Sequence, residues 1–152
     1  MQTPIRASDA IDIPFASDIV WPVLRDLMGY PRWWPASLRL RVIAVGAAGL
    51  GTEFEVRPRA SRAFRCRVED LSEGRWIKMR YHGELLEGSG MLRLEASDGG
   101  SRVTYELDVR ARGWLVALLA RFIDLGSIHS RQMRDVLQNL ERAVREQAIR
   151  PA

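Results

Sequence analysis

Three side chains able to do acid–base chemistry are predicted to face one interior surface: His129, Tyr81 and Tyr105. His129 comes three residues after Gly126 and four before Met133, which places it on the apolar stripe of a predicted C-terminal helix. An imidazole there could orient a carbonyl group or transfer protons near neutral pH. It could equally be a buried histidine bonded to a neighbour or to water, and both interpretations stay open.

Tyr81 and Tyr105 alternate with charged residues in two predicted strands, so both rings are expected on the apolar inner face. Either hydroxyl could bind a ligand oxygen, although a core tyrosine bonded to backbone or water is the commoner arrangement. Together with His129 they are candidates for acid–base catalysis. The sequence commits no residue to a catalytic role.

Other kinds of site lack the residues that they need. Cys66 points inward by strand parity with no basic residue beside it, and as the single cysteine it cannot form an internal disulfide. His82 points outward, which leaves His129 without a second metal ligand. Gly88-Ser89-Gly90 does not match the nucleophile motif GxSxG, and neither glycine-rich turn precedes a helix that could cradle phosphate. The sequence therefore predicts no metal and no cofactor.

The elements that must position these residues follow from changes in hydrophobic period. A short strand at 11–13 and a helix capped by Ser17 lead to a break at 30–35, which contains Trp33 and Trp34. Between residues 38 and 111 the period is 2, which predicts six antiparallel strands in a meander with one wet face. From 114 to 147 the period is helical, and this long helix must cover the other face.

Composition and charge restrict the class of protein. The 152 residues, of which 47% are hydrophobic and 28% charged, predict a single globular domain spanning 1–152. The longest apolar run, 114–120, is too short to cross a bilayer, and no signal-peptide core follows the N-terminus. We therefore expect a cytoplasmic location and no transmembrane segment.

Five arginines crowd one predicted hairpin and could serve an interaction with nucleic acid, an anionic membrane or an acidic head group. They are Arg57, Arg59, Arg62, Arg65 and Arg67. The nearby Phe64 alternates inward, so no exposed aromatic platform is available for stacking bases. Neighbouring carboxylates and a net charge of only +4 favour a solvated charged face, and no nucleic-acid partner is expected.

The order of these elements, with several short phrases, resembles the START-like superfamily. More narrowly, it is similar to the bacterial polyketide cyclase/dehydrase and lipid-transport group of helix-grip (SRPBCC) proteins. The phrases are Ile11-Asp12-Ile13 followed by Val20-Trp21, Tyr30-Pro31-Arg32-Trp33-Trp34-Pro35, Gly49-Leu50-Gly51-Thr52-Glu53-Phe54, Gly88-Ser89-Gly90 and Arg102-Val103-Thr104-Tyr105-Glu106. The resemblance implies an α+β fold in which a curved antiparallel sheet wraps around a long C-terminal helix.

The resemblance also implies a cavity between that helix and the concave face of the sheet. Its ligand would be a small, largely hydrophobic molecule such as a lipid, a quinone or a polyketide-like compound. The alternatives are a cyclase or aromatase that uses cavity His and Tyr side chains, and an interaction protein that uses the arginine hairpin. A homodimer is possible. The expected ligand-binding residues are Trp33, Trp34, Phe54, Val56, Phe64, Cys66, Met79, Tyr81, Leu92, Tyr105, Phe122, Gly126, His129 and Met133.

Overall fold

A computed structural model describes residues 2–59, 62–84, 86–113 and 125–150. Seven antiparallel strands form one sheet in the order β1-β7-β6-β5-β4-β3-β2. The strands are β1 (Gln2–Ile13), β2 (Leu38–Ala44), β3 (Glu53–Pro58), β4 (Phe64–Ser72), β5 (Trp76–His82), β6 (Leu86–Ser97) and β7 (Gly100–Arg112).

The six-stranded meander predicted from the period of 2 is present as β2 to β7, because each strand has one apolar face that must be buried. The first strand is much longer than the three-residue strand expected. It pairs with β7 along its whole length, from Gln2 opposite Arg112 to Ile13 opposite Ser101. Its inward positions include Ala7 and Asp9, which interrupt the apolar alternation and hide most of the strand from sequence analysis.

Two short helices follow β1 and cover one end of the sheet. The first, α1 (Ser17–Arg25), buries Val20, Trp21 and Leu24, as its apolar spacing predicts. Ser17 was expected to be its N-cap, but Ala16 holds that position. Ser17 Oγ instead lies 3.2 Å from Ser101 Oγ on β7. A 3₁₀ turn, Leu27–Gly29, leads into α2 (Tyr30–Trp33), a four-residue helix within the segment where the sequence predicts a break.

The long helix, α3 (Leu125–Ile149), lies across the concave face of the sheet and contacts β1 most extensively. Among its described side chains, the buried hydrophobic ones are Met133, Val136, Leu137, Leu140 and Val144. They recur at helical spacing, so one stripe of α3 packs on the sheet while its arginines lie on the other sides. The sequence placed the helix start at 114, and residues 114–124 lie outside the described part of the chain.

Aromatic side chains fix the position of α2 against the sheet. Tyr30 is completely buried, and its hydroxyl donates a hydrogen bond to the Leu24 carbonyl oxygen at 2.6 Å. Its ring stacks on Phe54 of β3 with centroids 5.6 Å apart and on Trp34 at 5.9 Å. Such contacts add to the free energy gained by burying large rings. They hold Trp34 at the end of α2, over the sheet.

Candidate ligand cavity

A cavity of about 300 Å³ lies between the concave face of the sheet and α3. At about 30 Å³ per water-sized unit, such a volume holds on the order of ten non-hydrogen atoms. Its wall is mainly apolar and is formed by all seven strands, the end of α2 and α3. The lining residues are Ile5, Trp34, Leu38, Val56, Pro58, Arg59, Arg62, Phe64, Tyr81, Leu86, Tyr105, Leu107, Val109, Ala111, Ile128, Gln132, Met133 and Val136.

Two tyrosine hydroxyls form a polar feature in the buried part of the described wall. Tyr81 and Tyr105 are 5% and 4% exposed, and their hydroxyl oxygens are in hydrogen-bond contact with each other. Only one of the two protons can lie between the oxygens. The second hydroxyl therefore keeps a proton that it can donate to a ligand oxygen in the cavity.

This contact requires a position without a side chain on the strand that separates the two tyrosines. Tyr81 lies on β5 and Tyr105 on β7, so β6 runs between them and their backbones are about 10 Å apart. The Tyr81 ring leans across Gly90 of β6. A Cβ atom added at Gly90 would lie 2.7 Å from Cε2 of that ring and 3.2 Å from its hydroxyl oxygen. Because Gly90 has no side chain, the two hydroxyls can meet.

A second glycine of the same strand brings β6 close to β7. Gly88 has a φ of 150°, and a Cβ atom there would lie 2.3 Å from the carbonyl oxygen of Asp108. Only glycine fits this close approach without moving the backbone. The two glycines of Gly88-Ser89-Gly90 therefore have structural roles: Gly90 leaves room for the Tyr81 ring, and Gly88 lets β6 approach β7 closely.

Both tyrosines are held in the neutral form. Burial raises the pKa of Tyr105 well above its usual range, and nearby Cys66 raises it further. The pKa of Tyr81 is also raised well above its usual range, first by burial and then by Tyr105. A neutral phenol donates a hydrogen bond but is a poor base. The pair is thus suited to binding an oxygen atom rather than to removing a proton.

The exposed edge of the cavity has a different character. Arg59 and Arg62 are exposed side chains that also line the cavity, so they lie at its rim. On the opposite side of the cavity, α3 contributes Gln132, which is half-buried, and Ile128, which is exposed. The cavity therefore has an apolar body, two neutral hydroxyls on its floor and two guanidinium groups at its opening.

The structure places the predicted ligand-binding residues in two groups. Six of them line the cavity: Trp34, Val56, Phe64, Tyr81, Tyr105 and Met133. Five others lie in or against the adjoining hydrophobic core and are not among the described lining residues: Trp33, Phe54, Cys66, Met79 and Leu92. Phe54, for example, is covered by the Tyr30 ring, although its strand parity is that of Val56. Parity selects the inner face, but the helices that cover one end decide which inner residues reach the cavity.

The remaining three predicted residues fall on the least described part of the chain. Phe122 lies outside the described residues. The backbones of Gly126 and His129 belong to α3, and the position of the His129 side chain also lies outside the description. Whether His129 contributes to the cavity stays a prediction.

Several lining residues were missed although their pattern carried a signal. Leu107, Val109 and Ala111 have the strand parity of Tyr105, and Val136 has the helical spacing of Met133. The two rim arginines could not be found in this way, because parity and charge assigned the whole arginine hairpin to solvent. Arg59 follows β3 directly, where the strand alternation no longer applies.

The outer face of the sheet confirms the cross-strand pairing expected for the arginine hairpin. Across strands, Glu53 of β3 lies 3.8 Å from Arg65 of β4 and 3.1 Å from His82 of β5; Glu55 lies 3.8 Å from Arg57 of its own strand. These pairs are partly exposed and contribute little stability, but they offset much of the positive charge. Among the described residues, no three His, Cys, Asp or Glu side chains are grouped as a metal site would require. No helix in the described ranges is both long and apolar enough to span a membrane.

Together, the curved sheet, the long helix on its concave face and the cavity between them define a START-like helix-grip protein. The family model described as polyketide cyclase / dehydrase and lipid transport matches residues 4–145. The chain belongs to this family. A comparison with curated proteins found no match.

Solved structures with the same fold include enzymes. The aromatase/cyclase Zhui from Streptomyces sp. R1128 is 18% identical, with a TM-score of 0.69 over 97% of this chain and 96% of that one. The di-domain aromatase/cyclase StfQ of the steffimycin pathway is 18% identical, with a TM-score of 0.74 over 95% of this chain and 52% of that one. Norcoclaurine synthase from Thalictrum flavum is 12% identical, with a TM-score of 0.65 over 100% of this chain and 90% of that one. At these identities the likeness shows the fold alone.

Proposed function

We propose that this protein binds a small, largely apolar molecule whose oxygen atom docks on the Tyr81–Tyr105 pair. The observation that carries this proposal is the contact between two buried hydroxyls in the wall of a mainly apolar cavity. Apolar walls supply affinity through burial, and one or two placed polar groups supply orientation. Because both phenols are neutral, the hydroxyl whose proton is not used within the pair would donate to a carbonyl, quinone or hydroxyl oxygen.

The proposal is tested with two naphthalenes of equal shape, 2-naphthol and 2-methylnaphthalene. The protein should bind both and should bind 2-naphthol more tightly, because only that ligand can hydrogen-bond to the tyrosine pair. Tyr105→Phe should reduce this preference by about 2- to 10-fold, the value of one buried hydrogen bond. Titration followed by naphthalene fluorescence measures the two dissociation constants.

Tyr30→Phe is the matched control, since Tyr30 is a buried tyrosine bonded to the Leu24 carbonyl and does not line the cavity. It should lower the free energy of unfolding and leave the preference for 2-naphthol unchanged. An equal loss of affinity for both ligands in Tyr105→Phe would contradict docking on the pair and would return these tyrosines to a packing role.

A second candidate is a cyclase or aromatase, favoured by the family and by neighbours whose names state that activity. In this case the cavity would fold a poly-carbonyl chain, the tyrosine pair would polarise one carbonyl, and His129 would move protons. Incubation with a synthetic poly-β-ketone thioester, followed by mass spectrometry, tests it. Loss of water in the presence of protein favours the enzyme; binding of the thioester without conversion favours the carrier.

A further inference from the structure

The rim of the cavity carries positive charge that no described residue neutralises fully. Arg62 has a carboxylate partner, Glu84, at 3.4 Å, and both side chains are mostly exposed. Arg59 forms no ion pair or side-chain hydrogen bond within the described ranges. Among the described lining residues the ionisable side chains are two arginines and the two neutral tyrosines, with no carboxylate.

The backbone holds Arg59 at this place. Its amide donates a hydrogen bond to the Ser37 carbonyl oxygen at 3.1 Å, which ties the end of β3 to the residue before β2. Pro58 and Leu38, the neighbours of these two residues, both line the cavity. The Arg59 side chain therefore starts from a fixed point on the cavity edge. It ends in a guanidinium group that can grip a carboxylate with two parallel hydrogen bonds.

We propose that the ligand is an amphipathic acid, whose carboxylate binds Arg59 at the rim while its apolar body fills the cavity. This inference deepens the proposed function and rests on it, because it names the chemical class that the same cavity would take. The Arg59 guanidinium has no ion-pair partner in the described part of the chain, so it can bind one monoanionic group. An acid anchored at the rim, with an oxygen at its far end, would meet polar partners at both ends.

A ligand pair that differs only in the acid tests the proposal: 6-hydroxy-2-naphthoate and 2-naphthol. The unmodified protein should bind the naphthoate more tightly than 2-naphthol. Arg59→Gln should lower the affinity for the naphthoate by about 5- to 10-fold and leave the affinity for 2-naphthol unchanged. The acid's advantage should also shrink with added salt, since exposed charges are screened.

Arg39→Gln is the matched control. Arg39 is another exposed arginine without an ion-pair partner among the described residues, but it points away from the cavity, between Leu38 and Leu40 of β2. This variant loses the same charge, so it should leave both affinities unchanged if Arg59 acts by direct contact. Equal effects of the two variants would overturn the proposal in favour of general attraction by a basic surface.

The outcomes separate this inference from the function on which it rests. If 2-naphthol binds with the expected Tyr105 dependence and the carboxylate adds nothing, the acid proposal is overturned and the cavity proposal stands. If neither the neutral nor the acidic naphthalenes bind, both proposals are overturned. Circular dichroism of Arg59→Gln checks that an altered affinity does not reflect unfolding.

Discussion

Replacing Gly90 by alanine should separate the two tyrosine hydroxyls without changing either tyrosine. The new methyl group would lie 2.7 Å from Cε2 of the Tyr81 ring, whereas ordinary contacts begin near 3.4 Å. The ring must therefore move by several tenths of an ångström away from β6. It cannot move freely, because the Phe64 ring lies against it with centroids 5.7 Å apart.

The expected cost follows from three opposing effects. Alanine stiffens the unfolded chain, which stabilises a strand by about 0.5–1 kcal/mol relative to glycine. Overpacking costs about 1–3 kcal/mol, and losing the buried hydrogen bond costs about 0.5–1.5 kcal/mol. We expect Gly90→Ala to lower the free energy of unfolding by about 1–3 kcal/mol in urea denaturation. The preference for 2-naphthol over 2-methylnaphthalene should fall as in Tyr105→Phe.

A double-mutant cycle isolates the hydroxyl contact from the steric effect. In a Tyr81→Phe background the ring is still present but the hydrogen bond is already gone, so Gly90→Ala should cost about 0.5–1.5 kcal/mol less than in the unmodified protein. If Gly90→Ala lowered the free energy of unfolding equally in both backgrounds and left the preference for 2-naphthol unchanged, the contact between the hydroxyls would not depend on Gly90 and the reasoning would be refuted.

Two further predictions concern the buried ionisable groups. All three tyrosines, Tyr30, Tyr81 and Tyr105, have a pKa raised by burial, so the folded protein should show no phenolate absorbance near pH 10, where the unfolded chain titrates. Their contribution to stability is complete below about pH 10 and is lost as the pH rises above it, because the unfolded state then releases protons that the folded state keeps. A phenolate signal that develops while circular dichroism still reports the native fold would contradict this. Burial likewise raises the pKa of the Cys66 thiol, so an aromatic disulfide reagent should modify it only after unfolding, and rapid modification of the native protein would place Cys66 in contact with solvent.

The sheet could be predicted from the sequence because its signal is local. Alternation along β2 to β7 identifies the inner face, and Tyr81 and Tyr105 were assigned to it correctly on parity alone. The contact between them could not be predicted, because it depends on two strands that are not adjacent and on the glycine between them. The length of β1 also depends on a contact that is distant in sequence. Asp9 occupies an inward position, where Arg134 of α3 approaches its carboxylate to 4.0 Å, and a charged residue at an inward position hides the strand from pattern analysis.

The rim of the cavity shows a second limit of sequence analysis. The inward–outward alternation of a strand does not apply to a charged side chain just beyond its end. The direction of such a side chain depends on how the backbone is held there, in this case by the hydrogen bond from the Arg59 amide to the Ser37 carbonyl oxygen. The five arginines looked alike in sequence, but Arg57 and Arg65 pair with carboxylates on β3 and Arg59 lines the cavity. Pattern analysis identified a charged hairpin and could not separate its members.

The pairing of β1 with β7 has a consequence for synthesis of the protein. β1 is synthesised before β7, so at about 5–20 residues per second its backbone has no β7 partner for on the order of ten seconds. A long unpaired strand invites pairing with another chain. Pro4 removes one backbone donor, and Arg6 and Asp12 place charges on the outward side. These three residues should therefore protect the nascent chain from aggregation until Asp108 and Arg102 arrive to pair with those charges.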